Sequence, residues 1–355
     1  MNFSDQDFYI HDFTKYNTSE VEANLDYTMD NFFVFLRDQM GRVQDLSVKE
    51  ASDLYIEEHK LELGQMTFLR HGLSFLTTNS DTKIKRIGNY LLRGNIGKDI
   101  ETSMIAEGYI KLLEPYAEDI PIKLNTIAVE VSYDKYGARV KDKNNNVHTA
   151  DFVIVTVPLS LLKADKISFN PPLSIAKKNA IQSLGVFDMN KIIVEFKSKF
   201  WGDNDFLTML YSEKEFVYSF AVNYHKVIGK NVLIFMVSGK DIEYLEDKPH
   251  YIIKEEIVEL LKKYFPAKKE EIVITQFEMT NWRKDEFALG SFSELEADPK
   301  LRKVLGTLEG RVILAGEHTS VDWNTFVYGA FTSGIKAAEI IIDNYDKYTQ
   351  MRDDI

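Results

Sequence analysis

The chain has 355 residues, 45% of them hydrophobic, and a formal net charge of -12, enough apolar material for a large core and two domains. Lacking cysteine, it can form no disulfide, cysteine metal site or thiol nucleophile, and its seven histidines are scattered without a pair at ligand spacing. The acidic balance argues against nucleic acid as a partner and for cationic ones.

The opening stretch MNFSDQDFYI is acidic rather than signal-like, and no apolar run is long enough to span a membrane, so a cytoplasmic setting is expected. Residues 1–50 hold ten acidic and four basic side chains, about half the excess. Residues 1–105 read as mostly helical. Leu25, Met29, Phe32, Phe33 and Leu36 form one amphipathic stripe. Ser47, three residues before Glu50, reads as a capped helix start, and TSMIAEGYIKLLEPYA as a further short helix.

From Pro121 to Pro158 the pattern turns to β. IKLNTIAVEVSYD alternates, ARVKDKNNNVHTA predicts a hairpin around Asn144, Asn145 and Asn146, and DFVIVTVP predicts a buried strand. Residues 159–290 hold five further strand candidates: KIIVEFKSKFW, DFLTMLYS, EFVYSFAVNYH, NVLIFMVSG and EIVITQFEMTNW. Between the last two, HYIIKEEIVELLKKYFP places Ile253, Ile257, Leu260 and Leu261 on one helical face.

Near the C-terminus the apolar run Val312 to Ala315 stops at Gly316, which predicts a buried strand. A polar loop with Glu317 follows, then a helix starting near Gly329. Ala330, Ser333, Gly334, Ala337 and Ala338 give that helix a face with almost no side chain, which permits close approach of a backbone or a flat ligand. Its N-terminus suits an anionic group, and the Glu317 carboxylate can accept hydrogen bonds from sugar-like hydroxyls. An ordinary strand–loop–helix packed on its sheet explains the same pattern.

The run Ala315-Gly316-Glu317-His318-Thr319-Ser320, followed by Gly329-Ala330 and Ser333-Gly334, resembles the C-terminal FAD-binding signature of the flavin-dependent amine oxidases, nearest the polyamine oxidase branch. The resemblance implies an α/β plus α+β fold: an incomplete Rossmann-like FAD-binding domain, a helical lid and a mixed-sheet substrate domain. Residues 1–105 correspond to the lid, 106–158 to a β segment of the FAD domain, 159–290 to the substrate domain and 291–355 to the C-terminal FAD segment. It implies a polyamine and O2 as reactants.

Site residues follow from the same resemblance. Lys191 with Phe200-Trp201 matches a Lys…Phe-Trp motif whose lysine holds a water at flavin N5. Taken alone, Lys191 at a strand start reads as a solvated charge. Trp282, before Gly290-Ser291-Phe292-Ser293, matches a tryptophan that flanks the isoalloxazine; taken alone, it reads as core or rim. Phe326 corresponds to an aromatic wall of the amine site, and Trp323 to its neighbour. Glu317 corresponds to the ribityl ligand beside Gly316, while Val327 and Ala330 bring backbone near the N1–C2=O edge. Ala128 stands where the family usually has a valine facing the adenine, and Met189 where a substrate-stacking tyrosine is common.

One piece of the family pattern is missing from the sequence. No Gly-x-Gly-x-x-Gly turn is present, and Gly94-Asn95-Ile96-Gly97 has the wrong spacing. The chain therefore reads as N-terminally truncated, as half of a split protein completed by a second chain that supplies this unit, or as a flavin-less scaffold derived from the family. Without this unit the strands DFVIVTVP and RVILAG are expected to have exposed edges and an uncovered face.

Overall fold

A computed structural model of the chain describes residues 6–10, 18–40, 45–62, 65–66, 69–70, 72–73, 84, 104–210, 217–238, 241–294 and 298–353. Gly94-Asn95-Ile96-Gly97, and the side chain of Leu25, lie outside the described residues. The chain forms two compact units: Met1–Glu118 with Asp188–Asn281, and Asp119–Phe187 with Trp282–Ile355. Residues 159–187, read from the sequence as the opening of the substrate domain, belong to the second unit.

The first unit is built on a six-stranded sheet in the order Gln6–Ile10, Phe206–Leu210, Phe220–Asn223, Val232–Ser238, Met189–Phe196, Ile274–Met279. The first pair is parallel and the others antiparallel. All five strands expected between 159 and 290 are present, because runs of β-branched and aromatic residues suit a pleated, half-buried surface. Strand alternation sends Ile192, Val194 and Phe196 into the core at 0%, 0% and 2% exposure. The helix His250–Tyr264 covers that face with Ile253, Ile257, Leu260 and Leu261, the four residues its 3.6-residue period selects. Each buried side chain of this size contributes about 1.5–3 kcal/mol.

Beside the sheet, the helices Thr18–Met40 and Val48–His59 pack through Phe32, Leu36, Val48, Ala51 and Tyr55. Ser47 and Glu50 form the expected capping box: Glu50 N donates to Ser47 Oγ at 3.1 Å, and Ser47 N to Glu50 Oε2 at 2.6 Å. The helix Tyr109–Ala117 starts later than its sequence suggests, at Gly108, whose φ of 84° is not helical. None of its side chains is buried.

The second unit contains a four-stranded sheet in the order Val147–Ala150, Ala138–Asp142, Ala128–Tyr133, Ser168–Asn170. The Asn144–Asn146 hairpin forms as expected. Asp142 accepts from the N–H groups of Asn144 and Asn146, both at 2.9 Å, and Asn145 takes a φ of 66°. A three-stranded sheet runs Leu308–Glu309, Val312–Leu314, Val153–Val155, the last pair parallel. Val312, Ile313 and Leu314 are fully buried, as the apolar run predicts. The DFVIVTVP strand has the exposed edge expected of it but is not buried as its apolar run predicts. It is three residues long and lies at the sheet edge, with Ile154 37% exposed and, among the described residues, pairing on one side only. RVILAG is corrected too, because Val312–Leu314 pairs on both sides.

Three tethers brace this unit. Ser174 donates through N and Oγ to the two Glu309 oxygens at 2.6 and 2.8 Å. Lys177, 1% exposed, donates to the carbonyls of Leu305 at 3.2 Å and Thr307 at 2.5 Å. Arg311, fully buried, donates to Tyr348 O at 2.8 Å and lies 4.9 and 4.8 Å from the ring centroids of Phe152 and Tyr348.

Candidate functional site

The second unit brings several of the expected residues onto one strand–loop–helix. After Val312–Leu314 the chain passes Ala315 and Gly316, makes a single helical turn over Glu317–Thr319, and enters the helix Val327–Asp353. Gly316 has φ 142° and ψ 168°, a region that costs a side chain heavily, and its N–H donates to Ser333 Oγ at 2.8 Å. Ser333 in turn donates to Ala330 O at 2.7 Å, so strand end and helix are tied by one hydroxyl.

The small-residue face of the helix divides in two. A Cβ on Gly329 would lie 1.8 Å from Trp323 O, so the loop backbone packs directly on this position. Ala337 is buried against Ile313 and Ala315. On the adjoining stripe Ala330 is exposed, and a Cβ on Gly334 would meet nothing within 4 Å. The N–H groups of Val327, Tyr328 and Gly329 belong to the first turn, which a helix leaves without internal acceptors.

Glu317 is the most highly organised polar residue of the loop. Its Oε1 accepts from Ser293 N at 2.9 Å, and its Oε2 from Ser293 Oγ at 2.6 Å and Thr325 N at 2.7 Å. A carboxylate oxygen has room for two donors, so Oε1 keeps one acceptor position. Ser293 is placed by a two-residue strand pair, Phe292–Ser293 with Val186–Phe187, in which Phe187 and Phe292 stack at 4.8 Å. Thr325 reaches the carboxylate by adopting a φ of 70°.

Behind the carboxylate lie two buried groups. Arg302 is 1% exposed and donates to Ser293 Oγ at 2.8 Å and His318 O at 3.2 Å. His318 is 2% exposed, and burial pushes its imidazole down to about 4; Glu317 opposes that fall and Arg302 adds to it. His318 is therefore neutral at ordinary pH.

Trp323 and Phe326 meet edge to face at 6.4 Å, and Trp323 meets Tyr328 likewise at 5.4 Å. Both Trp323 and Phe326 are more than two-fifths exposed. Trp282 is also exposed; its carbonyl accepts from Gly290 N at 2.9 Å and closes the loop that leads to Ser293. Ala128 is half-buried at the start of its strand and pairs with Asp142, away from the Glu317 loop in sequence and with no hydrogen bond to it.

Lys191 and Met189 belong to the first unit. Lys191 stands on the strand face opposite Ile192, its N–H donating to Thr280 Oγ1 at 2.8 Å. Its side chain is exposed, and among the described residues its amine makes no hydrogen bond or ion pair. Met189 is half-buried at the strand start, opposite Ser238.

Ser293, Arg302 and Thr325 escape a sequence reading. Ser293 closes the Gly290-Ser291-Phe292-Ser293 run and could have been noticed there. Arg302, in DPKLRK, looks like one more solvated helix charge, and nothing in the sequence marks Thr325. Among the described residues no group of side chains is arranged to hold a metal ion, and no helix is long and apolar enough to cross a membrane.

Residues 41–342 match the family model described as flavin containing amine oxidoreductase. The chain is 30% identical to polyamine oxidase 1 of Zea mays over 261 residues, covering 72% of this chain and 52% of that protein. It is 28% identical to polyamine oxidase 4 of Oryza sativa subsp. japonica over 344 residues, covering 93% of this chain and 67% of the relative. A probable polyamine oxidase 4 of Arabidopsis thaliana is 32% identical over 246 residues, 66% of this chain and 47% of the relative. The chain thus spans about half to two thirds of the length of these curated relatives.

Proposed function

The chain belongs to the family of flavin-containing amine oxidoreductases, and on that premise we propose that it acts as an FAD-dependent oxidase of polyamine type. The observation that carries the reading is Glu317: a carboxylate held after a strand end, with one acceptor position left on Oε1, in the loop that leads to the helix starting at Val327. That donor and acceptor set fits the ribityl and ring end of a flavin. A hydroxylated chain requires an acceptor, an anionic ring edge requires free N–H groups, and a flat ring requires a face without side chains, which Ala330 and Gly334 supply.

FAD, when bound, would supply the hydride-accepting and O2-reactive chemistry by which amine, O2 and water give a carbonyl compound, a shortened amine and peroxide. Glu317 binds a ribityl hydroxyl through Oε1. The main chain at Gly316 would lie beside this contact, and that at Val327 and Ala330 would come near the N1–C2=O edge. Trp282 flanks the ring and excludes water, while Ala128 presents backbone to the adenine. Phe326 and Trp323 bind the aliphatic chain of the amine, and Met189 contacts it where an aromatic residue is common in the family. Lys191 would hold a water beside the bound flavin with its ammonium group and would stabilise negative charge that develops on oxygen. The substrate reacts as the neutral amine, so this chain needs no general base. In this reading residues 1–105 serve as lid, 106–158 and 291–355 as FAD-binding segments, and 159–290 as substrate domain.

Purified protein incubated with FAD, desalted and examined by visible absorption tests the reading, followed by peroxide release with a panel of polyamines. Flavin-loaded protein with Lys191, Trp282 and Glu317 intact that oxidises no amine sinks it. A flavin-less scaffold is the second reading, favoured by the exposed apolar side chains Phe331, Ile335 and Ile342 along the closing helix. Protein that stays colourless after incubation and co-purifies with a stoichiometric partner but no flavin selects this alternative; colourless protein that gains flavin when the missing dinucleotide-binding unit is supplied does not.

A further inference from the structure

We propose that Arg302, acting through the hydroxyl of Ser293, is a positioning residue for Glu317. A guanidinium only donates hydrogen bonds, and a hydroxyl carries a single proton. Arg302 Nη1 donates to Ser293 Oγ at 2.8 Å, so this oxygen acts as acceptor on that side. Its one proton is then left for Glu317 Oε2, 2.6 Å away. The order of donation along Arg302, Ser293 and Glu317 is thereby set, and each bond polarises the next.

Arg302 is itself held firmly. It rises from the helix Pro299–Leu305, is 1% exposed, and its two terminal nitrogens also donate to the carbonyls of His318 and Glu294. A buried cation placed on neutral carbonyls gains from a nearby anion, and Glu317 stands one hydroxyl away. Ser293 grips both carboxylate oxygens, one through N–H and one through Oγ, and Thr325 N completes Oε2. The consequence is selective. Oε2 is filled, and Oε1 is the oxygen that keeps an acceptor position. Without Arg302 the Ser293 hydroxyl can turn, Oε2 loses its shortest donor, and the carboxylate can rotate.

The inference rests on the reading that Glu317 binds ribityl hydroxyls, and the test separates the two. Riboflavin carries those hydroxyls and lumiflavin does not. Quenching of flavin fluorescence gives the affinity of each for wild type, Glu317→Gln, Ser293→Ala, Arg302→Gln and the surface control Lys300→Ala. Riboflavin is expected to bind about tenfold more weakly to the first three variants, with lumiflavin changed less than about twofold. Arg302→Lys, which keeps one donor for Ser293 Oγ, should recover part of the loss.

Riboflavin affinity that falls in Glu317→Gln but not in Ser293→Ala or Arg302→Gln overturns the inference and leaves the Glu317 reading standing. Equal losses for riboflavin and lumiflavin make Arg302 a folding residue and also overturn it. Unchanged binding in Glu317→Gln removes the reading beneath it. Amide hydrogen exchange at Thr325 gives an independent measurement on flavin-free protein, since that N–H donates to Oε2 at 2.7 Å. Exchange there should quicken in Ser293→Ala and Arg302→Gln and not in Lys300→Ala. Unaltered protection in both variants overturns the inference whatever the flavins do.

Discussion

A Cβ on Gly316 would lie 2.5 Å from Cε1 of His318, so the buried imidazole fills the space a side chain at 316 would need. The φ of 142° at Gly316 excludes other residues a second time. Gly316→Ala should therefore cost about 2–4 kcal/mol, by displacing His318 and straining the backbone together. Urea unfolding measures this. A loss below about 0.5 kcal/mol would mean that the loop rearranges freely and that Glu317 is not rigidly presented.

His318 also makes stability depend on pH. Its folded imidazole titrates at about 4, against an ordinary value of 6.5. Between those values the unfolded chain holds a proton that the folded chain lacks, so this contribution to stability grows as pH rises from 4 to 6.5 and is lost on acidification through that window. The urea midpoint of His318→Leu should fall less than that of wild type between pH 6.5 and pH 4.5. Parallel curves would show that the imidazole is not kept neutral.

Lys177 predicts a second dependence at the alkaline end. Burial pushes its ammonium down to about 8 from 10.5, with Glu309 opposing. Between pH 8 and 10.5 the unfolded chain binds the extra proton, so this group adds stability as pH rises. Thermal unfolding of Lys177→Met should lack that rise. It should also show a loss of about 1–3 kcal/mol at neutral pH, because the Leu305 and Thr307 carbonyls lose their donor.

Ser47→Ala removes one half of the capping box at Val48–His59 and should cost about 1 kcal/mol. Helix content by circular dichroism at 0 M urea should hardly change while the unfolding midpoint falls. Unchanged stability would show that the helix is held by Phe32, Leu36 and Tyr55 packing alone.

If Phe326 lines the amine site, Phe326→Ala should raise KM for a polyamine about tenfold and leave FAD affinity within about twofold. Steady-state peroxide assays and flavin titration separate the two. An equal loss of FAD affinity would place Phe326 on the flavin instead.

Much of this is visible in the residues before any folding. The five strands between 159 and 290 announce themselves through branched and aromatic side chains, and the helix over Ile253, Ile257, Leu260 and Leu261 through its period. Ser47 and Glu50 mark a helix start, and Gly316 marks a strand end. All of these are local signals, decided within a turn or a pleat. The apolar run of DFVIVTVP misleads only about burial, because it looks the same at a sheet edge as at its centre.

The residues that tighten the Glu317 loop carry no local signal. Ser293 grips Glu317 from 24 positions away, Lys177 reaches Leu305 across 128, and Arg311 reaches Lys135 across 176. A buried arginine or lysine is written in the chain like a solvated one; only neighbours far along the chain turn it into a tether. The same holds for the small face of the closing helix, where packing against Trp323 O claims Gly329 while leaving Gly334 open. The sequence by itself determined most of the elements, because these follow from composition and spacing, and it carried the run Ala315 to Ser320 on which the family resemblance rests. Tertiary structure alone decided which oxygen of Glu317 keeps an acceptor position, because this depends on donors that meet only after the chain has folded.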